Sequence, residues 1–204
     1  MTQVTVDGVM QGNGGTTEED RKNGFERGGW AMGAGDDQTF AFINETYARA
    51  DAFLFGRRTY ELFAGFWGAE ERARAAAEDP GNNRIAAALN ARPKYLASTT
   101  ITGPRWANTT VLSGDLAPAI RELKATEAGE LQVHGSGALV RWLLEHDLVD
   151  ELTLLVVPVV LGQGSRLFAD AGPDIALDLV HSRADTKGVT IQVYRPGGRL
   201  QYAA

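Results

Sequence analysis

The feature that most constrains this chain is the alternation of short apolar runs with segments of helical periodicity. The clearest run, Ala52–Phe55, is apolar at every position and ends at Gly56, which is typical of a strand buried on both faces. A helical pattern follows directly over Arg57–Trp67, with apolar residues three and four positions apart. Strands that alternate with helices in this way predict an α/β domain built on a largely parallel sheet.

The same alternation extends over most of the sequence. Further strands are predicted at Val4–Val6, Lys94–Ala97, Thr109–Leu112, Leu131–Val133 and Glu151–Val157, and further helices at Thr39–Arg49, Leu116–Lys124 and Ala138–His146. Near the end, Ala176–Ala184 and Val189–Tyr194 flank the turn-forming residues 185–188 (Asp-Thr-Lys-Gly), which predicts an antiparallel hairpin. The expected fold is therefore α/β, with a mostly parallel central sheet, flanking helices and a C-terminal antiparallel hairpin.

Two segments show no clear period. Gly8–Gly35 contains nine glycines in twenty-eight residues and is too long to be a simple connector. Glu70–Asn83 is rich in Ala, Arg and Glu and is broken by a Pro-Gly pair; its first half predicts one or two turns of exposed helix. Because 204 residues without an internal repeat fit one domain, we expect a single domain over residues 1–204.

Composition excludes several classes of function. The chain has no cysteine, which excludes disulfide scaffolds, thiol nucleophiles and Cys-ligated zinc or iron–sulfur sites. Its 20 basic and 26 acidic residues give a net charge of −6, which argues against binding nucleic acid. Neither a His-Glu-x-x-His nor a P-loop motif occurs, so no metal site is expected. The sequence has no run long enough to span a bilayer and no signal peptide at Met1–Asp7, so we expect a cytoplasmic protein without a membrane partner.

Two junctions between a strand and a helix are candidate phosphate sites. The first, Gly56-Arg57-Arg58-Thr59, opens a helix. A helix N-terminus carries partial positive charge, so two arginines there are unfavourable unless an anion lies among them. The alternative is that both arginines are solvated on a surface helix.

The second junction is His134–Ala138, with the sequence His-Gly-Ser-Gly-Ala. Free amides at such a turn bind phosphate oxygens, although a tight turn from strand to helix also needs glycine for its own geometry. The Rossmann fingerprint is absent, because its third glycine position falls on Val140. Two anion sites on one sheet suit a dinucleotide better than either site alone.

Three further features are weaker candidates. Ser98-Thr99-Thr100 is a hydroxyl cluster after a strand; it either binds phosphate or, more commonly, caps a loop. Asp7 ends the first strand beside a glycine, where it either contacts a ligand or forms a turn. Trp30 lies in the glycine-rich segment and is the tryptophan expected to face a ligand.

Five motifs occur in order: Val6-Asp7-Gly8-Val9-Met10-Gln11, Gly56-Arg57-Arg58-Thr59-Tyr60-Glu61, His134-Gly135-Ser136-Gly137, Leu148-Val149-Asp150-Glu151-Leu152 and the segment Pro158–Phe168. In this series the chain resembles, over nearly its whole length, the RibD C-terminal domains of bacterial deaminase–reductases, which have the dihydrofolate-reductase-like fold. The resemblance implies an NADPH-dependent reductase whose family reaction delivers hydride to the ribose carbon of 5-amino-6-ribosylamino-uracil phosphate.

The resemblance also implies roles for individual residues. It places Gly56, Arg57, Arg58 and Thr59 at the cofactor phosphates, Ser98 and Thr99 beside the 2′-phosphate, and Gly135, Ser136 and Gly137, with His134 and Ala138 on either side, under the pyrophosphate. Asp7 is expected near the substrate, together with Trp30. We expect Asp7 mainly to orient the substrate; a lone carboxylate near an apolar pocket also has a raised pKa, which would suit an acid catalyst.

Two other functions remain open. A zinc deaminase half needs a His/Cys/Cys site, so the Cys-free chain is expected to be a stand-alone reductase acting on a small pyrimidine-type or pterin-type molecule. A pterin reductase of the dihydrofolate reductase type needs a carboxylate on the first helix. Asp36 and Asp37 only precede that helix and Glu45 lies inside it, which is a poor fit. A non-catalytic nucleotide-binding module is the other alternative.

A homodimer is the expected assembly. Glu151–Val157 is apolar at nearly every position, and Pro158–Leu161 extends the run. Exposed apolar patches beyond a few hundred Å² usually mark an interface, and the resembled family pairs through this part of the sheet. The alternative is that Gly8–Gly35 covers the run within one subunit.

Overall fold

The computed structural model describes residues 1–126, 129–168, 172 and 174–203. They form two compact units: unit 1 contains residues 1–40 and the described part of 141–204, and unit 2 contains residues 41–140 without 127 and 128. In chain order the elements are β1 Thr2–Thr5, α1 Glu18–Lys22, α2 Asp37–Arg49, β2 Ala50–Gly56, α3 Arg57–Phe66, α4 Glu70–Glu78, α5 Arg84–Ala91, β3 Lys94–Ala97, β4 Thr109–Leu112, α6 Leu116–Thr126, β5 Glu130–Val133, α7 Gly137–Glu145, β6 Leu152–Val157, β7 Leu177–Ala184 and β8 Thr190–Pro196.

Unit 2 contains a four-stranded sheet in the order β4-β3-β2-β5, and all its neighbouring strands run parallel. Strand β2 is central, and its residues Ala52–Phe55 are fully buried, as their unbroken apolar character predicts. Because the strands are parallel, their carboxyl ends share one edge. The register places Gly56 beside Ala97 of β3, and Leu54 beside Val133 of β5.

Unit 1 contains a mixed sheet in the order β1-β6-β8-β7. Strands β1 and β6 are parallel, whereas β8 is antiparallel to both of its neighbours, β6 and β7. The predicted C-terminal hairpin is confirmed: its turn closes through Asp185 N, which donates to Val189 O over 2.9 Å. The expected α/β class is confirmed as well, and the strands are shared between two four-stranded sheets.

The structure corrects the reason given for an interface at β6. This strand lies between β1 and β8 of its own unit, and every residue except Val156 is buried. The apolar run is therefore already buried within one chain and leaves little surface for an interface at β6 itself. Of the following Pro158–Leu161 segment, Val160 remains 70% exposed.

The glycine-rich segment is held by its own hydrogen bonds. Gly29 N donates to Gly12 O over 2.7 Å, and Gly28 N donates to Thr16 Oγ1 over 3.0 Å. The segment also contains α1, which the sequence analysis missed. That helix begins with a capping box, in which Thr17 and Asp20 bond reciprocally to each other's main-chain amides.

Lys94 is buried at the start of β3, and no carboxylate among the described residues pairs with it. Its Nζ donates to Leu89 O over 2.7 Å and to Arg92 O over 2.8 Å, and it lies 4.9 Å from the centre of the Trp106 ring. Burial lowers the pKa of Lys94 from its usual 10.5 to about 8. No helix among the described residues is long and apolar enough to cross a membrane.

Because of Lys94, we expect the free energy of unfolding to change with pH in the alkaline range. Since its folded-state pKa is lower than its unfolded one, the unfolded chain binds more protons between pH 8 and 10.5, and stability rises with pH across that window. In urea unfolding at several pH values, the free energy of unfolding of the wild type should rise across this window by about 1–2 kcal/mol more than that of Lys94→Met. The matched control is Lys22→Met, since the Lys22 side chain is 72% exposed. Parallel curves for wild type and Lys94→Met would contradict the prediction.

Candidate active site

Three of the predicted segments meet at the carboxyl edge of the unit 2 sheet. Gly56 ends the central strand β2, Ser98 follows the end of β3 on one side, and His134 follows the end of β5 on the other. Neighbouring strands lie about 4.8 Å apart, so the three strand ends fall within roughly 10 Å. The sequence analysis predicted these segments as anion sites, and the topology places them side by side.

The two strand–turn–helix junctions touch at Gly56. A Cβ atom built on this residue would collide with Ser136 Oγ and lie 3.5 Å from Leu139 Cβ. The second turn therefore packs closely against Gly56, and a larger residue at this position would force the Ser136 hydroxyl to move. Gly135 has φ 103°, a conformation that favours glycine. The close approach of the two turns joins the candidate sites into one.

The N-termini of both helices lie at this edge. Helix α3 has Gly56 as its N-cap, and glycine has no side chain that could cap the helix. Helix α7 starts at Gly137, and the amide of Val140 donates to Ser136 O over 3.0 Å. The first amides of a helix have no partner within the helix, and its dipole is positive there. Two such N-termini at one edge form an anion-binding surface, which the exposed Ala138 borders.

The side chains of the first junction differ from one another in their surroundings. Arg57 pairs with Glu61 one helical turn later, at 2.9 Å, and both side chains are about half exposed. Arg58 is half-buried and Thr59 is buried. Thr59 would therefore contribute its main-chain amide to an anion site rather than its hydroxyl.

The hydroxyl cluster after β3 serves its own loop in part. Ser98 Oγ accepts hydrogen bonds from Thr100 N over 3.2 Å and from Ile101 N over 3.1 Å. This is the loop-capping role that the sequence analysis held as the commoner alternative. Ser98 Oγ also lies 3.4 Å from Thr100 Oγ1, and either hydroxyl can be the donor in this pair. Thr99 is exposed beside it.

A polar network beneath the second junction was missed by the sequence analysis. The ring of His134 stacks on Tyr47, with centroids 4.2 Å apart and planes at 8°. Its Nε2 lies 2.9 Å from Gln132 Oε1, and Gln132 is buried. Burial lowers the pKa of His134 well below its usual value. The available sequence signal was a glutamine in the middle of a short apolar strand.

Asp7 belongs to unit 1, where it is a bound carboxylate. Thr5 Oγ1 donates to its Oδ1 over 2.6 Å, Leu161 N donates to Oδ1 over 3.1 Å, and Gly162 N donates to Oδ2 over 2.8 Å. These donors, the Thr5 hydroxyl first among them, lower the pKa of Asp7 to about 2. The expectation of a raised pKa is therefore wrong: the sequence does not reveal donors that lie 154 residues away.

We expect Asp7→Asn to lower the melting temperature at pH 7. A carboxylate with a lowered folded-state pKa stabilises the chain above its unfolded pKa, and this contribution is lost as pH falls towards 2. The gap between wild type and variant should therefore close between pH 4 and pH 2 in calorimetric scans. Glu45→Gln, at an exposed helical position, is the control. A gap that persists at pH 2 would show that the carboxylate charge is not the cause.

Trp30 also belongs to unit 1. Its Nε1 donates to Gln11 O over 2.8 Å, and its side chain is half-buried. The polar end of the indole thus holds the glycine-rich segment together. The other part of the ring is exposed, and the expected contact of Trp30 with a ligand stays a prediction.

Comparisons with known proteins agree with this architecture. The family model described as the RibD C-terminal domain matches residues 1–191. An uncharacterized protein of Bacillus subtilis (strain 168), YyaP, is 27% identical over 197 residues, which cover 96% of this chain and 92% of that protein.

Two solved structures are similar to the whole chain. One is a putative riboflavin biosynthesis protein from Shewanella sp. PV-4, with 19% identity, a TM-score of 0.67 and coverage of 96% of both chains. The other is a pyrimidine reductase-like protein from Corynebacterium diphtheriae, with 14% identity, a TM-score of 0.59 and coverage of 96% of this chain and 89% of that one. At these identities the likeness establishes the fold.

Proposed function

Because the chain belongs to the RibD C-terminal domain family, we propose that it is an NADPH-dependent reductase of the riboflavin-pathway type whose substrate is a ribosylaminopyrimidine. The observation that supports this most strongly is the contact between the two glycine-containing turns at Gly56 and Ser136. This contact brings the N-termini of α3 and α7 together. Two neighbouring anion-binding N-termini suit a dinucleotide, because a dinucleotide carries two or three phosphates.

Each part of the site has a proposed task. The first amides of α3 and α7 bind the pyrophosphate, with Gly135, Ser136 and Gly137 close beneath it. Arg57, Arg58, Ser98 and Thr99 bind the 2′-phosphate, since guanidinium groups form strong charge-assisted hydrogen bonds to phosphate. When bound, NADPH supplies the hydride, and the chain supplies orientation and exclusion of competing reactions.

Asp7 is proposed to orient the substrate. With a pKa of about 2 it remains ionised at neutral pH, so it accepts hydrogen bonds from substrate hydroxyl or amino groups and does not supply a proton. Among the described residues, Gly162 is the one donor bonded to its Oδ2, so this oxygen retains capacity for another. Trp30 is proposed to add a half-buried aromatic surface.

A pterin reductase is the less supported alternative. It requires a free carboxylate at the first long helix, and Asp36 is fully engaged there. The Asp36 carboxylate accepts hydrogen bonds from Thr186 N and Oγ1 at 3.0 and 2.7 Å, and from the amides of Gln38 and Thr39. These bonds tie the start of α2 to the hairpin turn.

Turnover tests the proposed function. NADPH oxidation should be measured with 5-amino-6-ribosylamino-uracil phosphate, dihydrofolate and related pterins as substrates. We expect turnover with the ribosylaminopyrimidine and its loss in Asp7→Ala. Turnover with pterins alone would favour the alternative enzyme, and NADPH binding without any turnover would favour a non-catalytic module.

A homodimer remains a proposal that rests on the family. Sedimentation equilibrium at micromolar concentration should give twice the chain mass of 21.9 kDa. Val160 lies in the segment directly after β6 and is 70% exposed, so Val160→Asp should shift the equilibrium towards the monomer if the pair forms there. A wild-type mass of 21.9 kDa would contradict the proposal.

A further inference from the structure

The orientation of Gln132 determines which ring nitrogen of His134 carries hydrogen. Gln132 Nε2 donates to Thr46 O over 2.5 Å and to Glu130 Oε1 over 2.6 Å, so both of its hydrogens are used. Its Oε1 is therefore the atom that faces His134 Nε2, at 2.9 Å. An amide oxygen only accepts, so Nε2 must donate. The neutral ring is fixed with its hydrogen on Nε2.

The other nitrogen, Nδ1, is an acceptor without a partner in the described part of the chain. Within those residues, Thr109 Oγ1 is the one buried side-chain polar atom that lacks a hydrogen bond. Nδ1 is therefore at least partly accessible to solvent or to a ligand. His134 immediately precedes the turn at Gly135.

The ring itself has little freedom to move. Tyr47 stacks against it in a nearly parallel arrangement, and Phe53 packs at 5.9 Å between centroids, tilted by 47°. Packing strips water from the imidazole, which favours the neutral form. A ring fixed in place, in tautomer and in charge has the properties of a preorganised hydrogen-bond acceptor.

From this geometry we infer that His134 accepts, at Nδ1, a hydrogen bond from an N–H or O–H group of the ligand bound at the unit 2 sheet edge, and that Gln132 is the positioning residue that holds the acceptor tautomer. This inference rests on the proposed function. The donor belongs either to the cofactor, as a carboxamide or ribose hydroxyl, or to the substrate. A ligand that offers only an acceptor at this point would be rejected, because the buried ring is unfavourable to protonate.

Nuclear magnetic resonance of ring ¹⁵N-labelled histidine tests the tautomer directly. In the ligand-free protein at pH 7 we expect the His134 ring to be neutral, with hydrogen on Nε2. Gln132→Leu should remove this preference. Addition of NADPH, or of NADP⁺ with 5-amino-6-ribosylamino-uracil phosphate or dihydrofolate, should shift the Nδ1 resonance, and the addition that causes the shift identifies the source of the donor.

Variants at position 134 distinguish the contribution of the Nδ1 acceptor from the contribution of ring packing. His134→Phe retains an aromatic ring on Tyr47 and removes both nitrogens, whereas His134→Asn places an amide oxygen near the position of Nδ1. We expect His134→Phe to weaken the responsible ligand about tenfold, with Asn recovering most of that loss. Tyr47→Phe, which keeps the stacking, is the matched control and should bind as the wild type does.

The outcomes are distinct. The inference would be overturned if the ligand-free protein carried hydrogen on Nδ1 of His134, or if His134→Phe bound all probes as tightly as the wild type. Neither result would contradict the proposed reductase function. A wild-type chain that fails to bind NADPH would overturn the proposed function. In that case the inference about His134 would hold only if a substrate probe shifted the Nδ1 resonance. It would fail if no probe shifted this resonance.

Discussion

Ala138→Asp is expected to abolish tight binding of NADPH while leaving the fold intact or slightly more stable. Ala138 is exposed in the first turn of α7, at the proposed pyrophosphate site. A carboxylate about 5.5 Å from a phosphate, at an effective dielectric constant of about 20, opposes binding by about 3 kcal/mol. Affinity should therefore fall by a factor of about 100 or more.

The same change favours the helix. An acidic residue at a helix N-terminus stabilises it by about 0.3–1 kcal/mol, so binding and stability should move in opposite directions. Ala138→Asn has nearly the same shape without charge and is the matched control, which should bind NADPH almost as the wild type does. If Ala138→Asp binds NADPH undiminished in a fluorescence titration, α7 does not face the cofactor phosphates.

The double variant Arg57→Ala with Arg58→Ala should lose most of the preference for NADPH over NADH. A hydrogen bond to a charged group contributes about 1.5–3 kcal/mol, so the ratio of the two affinities should fall about 10–100-fold. The affinity for NADH itself should change little, because NADH has no 2′-phosphate.

Glu61 provides a test in the opposite direction. It pairs with Arg57 at 2.9 Å, and an exposed pair of this kind stabilises a helix by only about 0.3–0.5 kcal/mol. Glu61→Gln should therefore leave folding nearly unchanged and strengthen NADPH binding by releasing the guanidinium. An unchanged NADPH/NADH ratio in the double variant would show that both arginines act only at the surface.

The sequence was sufficient for the elements that have a strong local pattern. Ala52–Phe55 and its following helix were predicted almost residue for residue, because a buried strand and an amphipathic helix each impose a period. Helix α5 was missed because Arg84–Ala91 consists largely of alanine and offers little contrast between its faces. The division into two sheets depends on which strands pair, and no local pattern reports that.

The candidate site divides in the same way. Glycines at positions 56 and 135 indicated the two turns in the sequence. Glycine suits position 56 because the second turn approaches it closely, and position 135 because of its backbone conformation. The charge state of Asp7 and the tautomer of His134 were beyond prediction. Both depend on particular donors and acceptors. Asp7 depends on the main-chain amides of Leu161 and Gly162, and His134 depends on the side-chain amide of Gln132. Only the folded chain brings these groups within hydrogen-bonding distance.

The central claim is that the carboxyl edge of the unit 2 sheet binds NADPH. Titration of the wild-type chain with NADPH and, separately, with NADH, followed by nicotinamide fluorescence, tests it most directly. The account predicts saturable binding of NADPH with an affinity at least about tenfold above that of NADH. Equal affinities for the two cofactors, or no saturable binding of NADPH, would contradict it.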